Sequence, residues 1–325
     1  MVLKIKNNQA VVLKEWAEEK LENKVNIKGE YMEDKKVIYG DLGLLFVAII
    51  WGAGFVFTKN ALNIITPFYI NGLRFLIAAV ALTIISFNKI RKISKKEIKS
   101  GIIVGFFMFL GFTFQTLGIR YVTTGVSAFI TASNVVMVPF MYWVLTKVRP
   151  NKFDIMGAIL CFLGIGILSF NKNIGVGIGE FLTFLCAIGF GLQIVSVGIF
   201  AKDVDPFVLS TIQFYFASIL SFIIAFIFEP PMTSVTSDMI VPILYLGLVS
   251  SMLGFTIQNI AQRHTPSTHA AIILSLESIF GSIFGILLLG ELITKRFVIG
   301  SLIILISVII TETRLEFLYN KEEVG

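Results

Sequence analysis

Residues Gly111 to Gln115 read GFTFQ, and residues Gly254 to Gln258 read GFTIQ; held at that offset of 143 positions, the two segments stay in register without a gap as far as Gly157 and Gly300. The chain is a duplication. Upstream the register resumes after a length change of about four residues, pairing Pro67, Phe68 and Phe75 with Pro206, Phe207 and Phe214. Each copy contains five apolar stretches of 15 to 24 residues, long enough to cross a bilayer as helices. Five is odd, so the second copy enters the membrane with opposite orientation. The predicted fold is an all-α membrane protein of ten transmembrane helices in an inverted 5+5 repeat, an architecture of secondary transporters whose substrate site lies at the repeat interface.

Composition agrees. Only 15 % of the 325 residues are charged, 56 % are hydrophobic and the mean hydropathy is +0.86, where a soluble domain carries about 25 % charged residues. The sequence divides into an N-terminal segment (1–37), a first repeat (38–170), a second repeat (176–313) and a tail (314–325). Spans are expected near 38–60, 67–87, 100–119, 124–145, 153–170, 178–200, 206–228, 239–260, 267–289 and 297–311.

The net charge of +6 is explained by where the cations lie. With a cytoplasmic N-terminus, 21 of the 27 Lys and Arg residues fall inside, including the loop from Lys89 to Lys99. The positive-inside asymmetry thus places both termini in the cytoplasm of a multi-pass plasma-membrane protein. The bias resides mainly in the first repeat, since Lys295 and Arg296 oppose it in the second. Nucleic acid is not an expected partner; the lipid bilayer and a small-molecule substrate are, and coupled protons and a homodimer stay open.

Residues 1–31 lack the apolar core of a signal peptide. Val12, Leu13, Trp16, Ala17, Leu21 and Val25 recur there at helical spacing, which suits an amphipathic helix on the inner membrane face as well as a disordered tail. Translation from Met32 is a third reading, because MEDKKVIYG already leads into the first span. The two cysteines, Cys161 and Cys186, sit inside apolar spans and read as small packing residues.

The run WGAGFVFTK (Trp51–Lys59), PFYINGLRF (Pro67–Phe75), SAFITASNVVMVPF (Ser127–Phe140) and THAAIILSLESIFGSIFGILLLGE (Thr268–Glu291) together resemble the EamA-type transporters of the drug/metabolite transporter superfamily, over about 85 % of the chain. The resemblance implies ten helices, a central cavity lined by helices 1 to 4 and 6 to 9, and substrates drawn from amino acids, amines, nucleotide sugars, other metabolites or drugs. Fold alone does not choose among them. The second repeat keeps LLLGE at its helix 9 end, whereas the first reads VLTKVRP, with Val148 where Glu291 would pair.

Charges inside the membrane are the most informative side chains, since each costs at least about 2.5–3.5 kcal/mol at a helix centre. Glu277 lies mid-span in helix 9, with the amide Asn134 at the equivalent place in helix 4. It suits a cationic part of a substrate or a coupling proton; the structural alternative is a carboxylate hydrogen-bonded to Ser275 or Ser278. Arg74 lies two turns into helix 2, opposite the neutral Gln213 in register, and is suited to a substrate carboxylate, to snorkelling toward the outer surface, or to pairing with a carbonyl or helix terminus. Gln115 and Gln258 are equivalent in helices 3 and 8, and Gln193 lies in helix 6; such amides bridge helices or line a wet cavity. Trp51 is positioned to stack on a substrate or to pack beside Gly52 and Gly54. Tyr142 and Trp143 read as interfacial anchors, and Pro139 and Pro242 as sites of broken backbone hydrogen bonds. Gly101/Gly105 and Gly281/Gly285 are small-xxx-small pairs for close helix contact.

The sequence contains no Walker-type phosphate loop, HExxH or GxSxG. No cofactor is expected and the chain does not read as an enzyme; a membrane-embedded enzyme or sensor using the same cavity is the competing class. The expectation is a secondary transporter that exports amino acids or related metabolites. Its alternative is an importer of a quaternary amine, using Glu277 with an aromatic cage around Trp51.

Overall fold

The computed structural model describes residues 37–147, 149–171, 175–232 and 236–313; the N-terminal segment, Val148 and the tail lie outside the described residues. Long apolar runs become helices, bounded by the capping chemistry their flanks supply. The helices are α1 (Val37–Ala61), α2 (Pro67–Ile85), α3 (Lys95–Gly118), α4 (Thr124–Leu145), α5 (Lys152–Ser169), α6 (Ile178–Phe200), α7 (Pro206–Phe228), α8 (Ser237–Ala261), α9 (His269–Leu289) and α10 (Lys295–Thr313). All but α5 and α10 are long and apolar enough to cross a membrane, eight among the described residues. A two-residue antiparallel pairing of Phe170–Asn171 with Gly175–Val176 links α5 to α6.

Helix starts follow local sequence. Proline opens α2 and α7, where its missing N–H costs nothing. Asp205 accepts from the N–H groups of Phe207 and Val208 at 2.9 and 3.4 Å, and Ser94 with Glu97 forms a reciprocal capping box at α3. The ends of α4 and α9 turn on left-handed residues in register with each other, Lys147 and Gly290, both at φ 65°. Gly290 adopts this freely; Lys147 does so at a cost of about 1–2 kcal/mol.

Small residues let the helices meet. A Cβ on Gly157 or Gly164 of α5 would strike Ser307 O or Gly300 O of α10 at 3.0 Å, so these helices run antiparallel in close contact. In α4 and α9, Gly281 faces Ala128, and Gly285 faces Thr124; that order is again antiparallel. Between α2 and α7, Tyr69 meets Phe222 and Phe226 while Phe75 stacks on Phe214 at 6.1 Å, the same antiparallel sense. Gly101 and Gly105 of α3 lie against Ile212 and Gln213 of α7, so both small-xxx-small pairs do serve helix contact. Cys161 and Cys186 are buried packing residues. The perimeter is apolar and exposed, as at Phe106, Ile159, Phe226 and Leu287, which is the surface a lipid environment covers.

Backbone irregularities occur in α4, α8 and α9, and the one in α8 follows a proline. The rod α4 breaks at Ser133 and α9 breaks at Leu276, where Ser133 N and Leu276 N reach back three residues to Ile130 O and Ile273 O, both at 3.2 Å. These two positions are in register, but α9 has Ser282 where α4 has Pro139. The break therefore does not depend on proline. Over Tyr245–Leu253, three residues after Pro242, α8 is wound as a π-helix, a wider coil found often at functional sites.

Candidate functional site

A cavity of about 40 Å³ lies between the two halves, lined from α1, α2, α3, α4, α6, α8 and α9. Trp51, Arg74, Gln115, Asn134, Gln193, Gln258 and Glu277 all line it. Sequence periodicity had placed these side chains at suitable depths but not on a common face; the packing brings all seven together. Helix α7 contributes no lining residue. Its Gln213 is fully buried beside Gly105, with neither amide atom partnered among the described residues.

Arg74 does not snorkel to the surface. It is 1 % exposed, with Nε donating to Ser251 Oγ at 2.9 Å and Nη2 to Ser250 Oγ at 3.0 Å. Its guanidinium carbon lies 4.2 Å from the centre of the Phe112 ring, a cation–π contact. The two serines come from the π-helical stretch of α8, whose wider coil turns successive side chains through a smaller angle and so lets both face one guanidinium. Neither was picked out from the sequence. The available signal was the hydroxyl pair Ser250-Ser251 inside an otherwise apolar span, flanked by Gly247 and Gly254.

Glu277 begins the second segment of α9, directly after the break at Leu276, and Asn134 begins the second segment of α4 after Ser133. Each break thus delivers one polar side chain to the cavity from equivalent positions. Glu277 is 7 % exposed and makes no hydrogen bond or ion pair with a described residue. The hydroxyls expected beside it are engaged elsewhere: Ser275 donates to Ile272 O at 2.6 Å and Ser278 to Ser275 O at 2.7 Å. Nor does Glu277 neutralise Arg74; no ion pair joins them. The amides Gln193 and Gln258 exchange hydrogen bonds at 3.4 Å, bridging α6 to α8 at the cavity wall.

The apolar wall is aromatic. Trp51 donates from Nε1 to Ser250 O at 2.9 Å and packs on Phe255 at 4.7 Å. A Cβ on Gly254 would lie 2.6 Å from that indole nitrogen, so the glycine makes room for the tryptophan. Phe112 meets Phe190 edge-on at 4.9 Å and Phe255 at 5.7 Å. His264 and His269 are exposed at the α8–α9 end, away from the cavity, and no group of three metal-ligating side chains occurs among the described residues.

A bundle of lipid-length helices enclosing a polar cavity between its halves defines a multi-pass membrane transporter of small molecules. Comparison with known proteins is specific: the EamA-like transporter family matches residues 38–170 and again 177–313, and the chain belongs to that family. It is 35 % identical over 282 residues to an uncharacterized transporter of Archaeoglobus fulgidus, covering 87 % of this chain and 88 % of that one. It is 25 % identical to the uncharacterized transporter YoaV of Bacillus subtilis, over 81 % of this chain and 93 % of the relative. A solved crystal structure superposes with a TM-score of 0.64 at 16 % identity, over 85 % of this chain and 98 % of the other; that similarity bears on the fold alone.

Proposed function

We propose that this protein is a secondary transporter for small zwitterionic metabolites, amino acids or related compounds, moved outward by alternating access of two inverted five-helix halves. The observation that carries the reading is the pair of opposite charges in one cavity, Arg74 and Glu277, neither of which is neutralised by an ion pair among the described residues. A solute bearing both a carboxylate and an ammonium group complements them; charge-assisted hydrogen bonds supply about 1.5–3 kcal/mol each. Gln115, Asn134, Gln193 and Gln258 offer neutral donors and acceptors around the same solute. The antiparallel packing of α2 on α7, α4 on α9 and α5 on α10 supports an inverted relation, with α5 and α10 completing ten crossings. The charge distribution supports cytoplasmic termini.

The aromatic cluster Trp51, Phe112, Phe190 and Phe255 favours a second reading, import of a quaternary amine against Glu277. Arg74 argues against it, because its guanidinium already occupies the face of Phe112 and repels a second cation. Proteoliposomes challenged with a panel of amino acids, amines, sugars and organic cations separate the two. Transport or counterflow of zwitterions supports the first, transport of monovalent cations alone supports the second, and no movement of any solute refutes both.

A further inference from the structure

Two carboxylates of the second copy close onto the first copy at the face that the charge distribution makes external. Glu291 follows left-handed Gly290 just beyond α9. Its Oε1 accepts from Thr124 N at 2.7 Å and Lys59 Nζ at 3.2 Å, and its Oε2 from Thr124 Oγ1 at 2.7 Å and Gly125 N at 3.3 Å. Lys59 also donates to Val122 O at 2.9 Å. Thr124 and Gly125 open α4, so the carboxylate occupies the unpaired N–H groups of that helix. Glu229, just past α7, does the same for α2: it accepts from Thr66 Oγ1 at 2.6 Å, Phe68 N at 3.0 Å and Tyr69 N at 3.2 Å. The helices held in this way are those that carry Asn134 and Arg74.

The opposite face lacks the arrangement. In register, Lys59 corresponds to Gly198, Thr124 to Ser267 and Glu291 to Val148. Gly198 does lie against Ser267, so the backbone neighbourhood recurs while the acid and the base are gone. Thr66 corresponds to Asp205, which caps its own helix and pairs with Lys89 at 2.9 Å; of the other pairs there, Lys96–Asp203 is 61 % and 60 % exposed, and Asp41 accepts from Thr265 Oγ1 at 3.3 Å and lies 4.0 Å from the half-exposed His269. Exposed pairs of this kind contribute little, whereas the Glu291 side chain is only 11 % exposed and makes four contacts.

We propose that Glu291 and Glu229 form a one-sided latch: they hold the cavity shut at this face, release when it opens there, and bias the transport cycle toward the state sealed on that side. The inference rests on the alternating-access reading above. A contact present in one state and absent in the other shifts the equilibrium by its full differential free energy, and among the described residues the other face has no carboxylate buried on a helix N-terminus of the partner half to offset it, only exposed or half-exposed pairs.

Cysteine reporters in a background lacking Cys161 and Cys186 test this without any substrate. Thr58 lines the cavity beside Lys59, and Val197 is its register equivalent toward the other face; they are 3 % and 0 % exposed. In nanodiscs, where both faces meet a hydrophilic maleimide, Glu291→Gln should raise labelling of Thr58→Cys by about tenfold, from loss of the charge-assisted contacts, and leave Val197→Cys unchanged. Thr124→Val, which deletes one hydrogen bond and keeps both charges, should give a smaller rise of the same kind and serves if Glu291→Gln fails to fold. Unchanged labelling of Thr58→Cys, or equal rises at both reporters, overturns the latch. Selective labelling without transport of any solute refutes the transporter reading and leaves the latch standing; transport with unchanged labelling refutes only the latch.

Discussion

Glu277→Gln separates binding from folding more cleanly than any other substitution in this cavity. The carboxylate accepts no hydrogen bond from a described residue, and Ser275 and Ser278 bond to main-chain carbonyls instead. Its removal therefore orphans no partner, and the glutamine occupies nearly the same volume; Asn134 shows that an amide is accepted at the equivalent break. The folded protein should lose nothing, and removal of a buried carboxyl that has no partner among the described residues favours equal or higher stability. Transport should suffer, because the lost interaction is the one with a substrate ammonium group or a coupling proton. At about 1.5–3 kcal/mol for a charge-assisted hydrogen bond, with about 1.4 kcal/mol per decade, the expected loss is about 10- to 150-fold in transport efficiency. Matched proteoliposomes give the transport ratio, and thermal unfolding in detergent gives the stability. Wild-type transport with an unchanged pH profile refutes the site assignment. A lowered unfolding midpoint refutes the argument that the carboxylate has no structural partner.

Arg74→Gln should behave in the opposite way, lowering the unfolding midpoint as well as transport: it strips Ser250 and Ser251 of their donor inside the bundle, at about 1–3 kcal/mol. Recovery of stability but not of transport by Arg74→Lys, which keeps the charge without the planar fork, is expected in the same two assays. At Glu291, burial alone raises the carboxyl, but the Thr124 N–H and hydroxyl, Lys59 and the Gly125 N–H together hold it below its ordinary 4.5. Because the folded state lowers this value, its stabilisation is complete above about pH 4.5 and is lost as pH falls through the folded value; acid titration of unfolding should show a shallower loss in Glu291→Gln than in the wild type. Topology is checked at Lys92, an exposed loop residue. A cysteine at Lys92 in intact cells should resist an impermeant maleimide, and labelling there reverses the assigned orientation.

The sequence exposed the helices more fully than the cavity because the two rest on different physics. Lipid-length apolar runs and the GFTFQ/GFTIQ register are properties of single segments, and span ends such as Thr124 and Leu145 follow from caps and composition. Convergence of Trp51, Arg74, Gln115, Asn134, Gln193, Gln258 and Glu277 required rotations about seven helix axes, which only packing at glycines such as Gly52, Gly105 and Gly281 sets. Intramembrane cost draws attention to Arg74 and Glu277 but is silent about their partners. The serine partners of Arg74 are not legible in the sequence because neither Ser250 nor Ser251 carries a charge, and the π-helical turn that aims both at it leaves no periodic trace in an apolar span. Proline drew attention to Pro139, whereas the breaks at Ser133 and Leu276 arise at equivalent positions with and without a nearby proline. That equivalence identifies the breaks as a property of the duplicated fold, and the divergence of Asn134 from Glu277 as the change that gave its two halves different chemistry at the same backbone position.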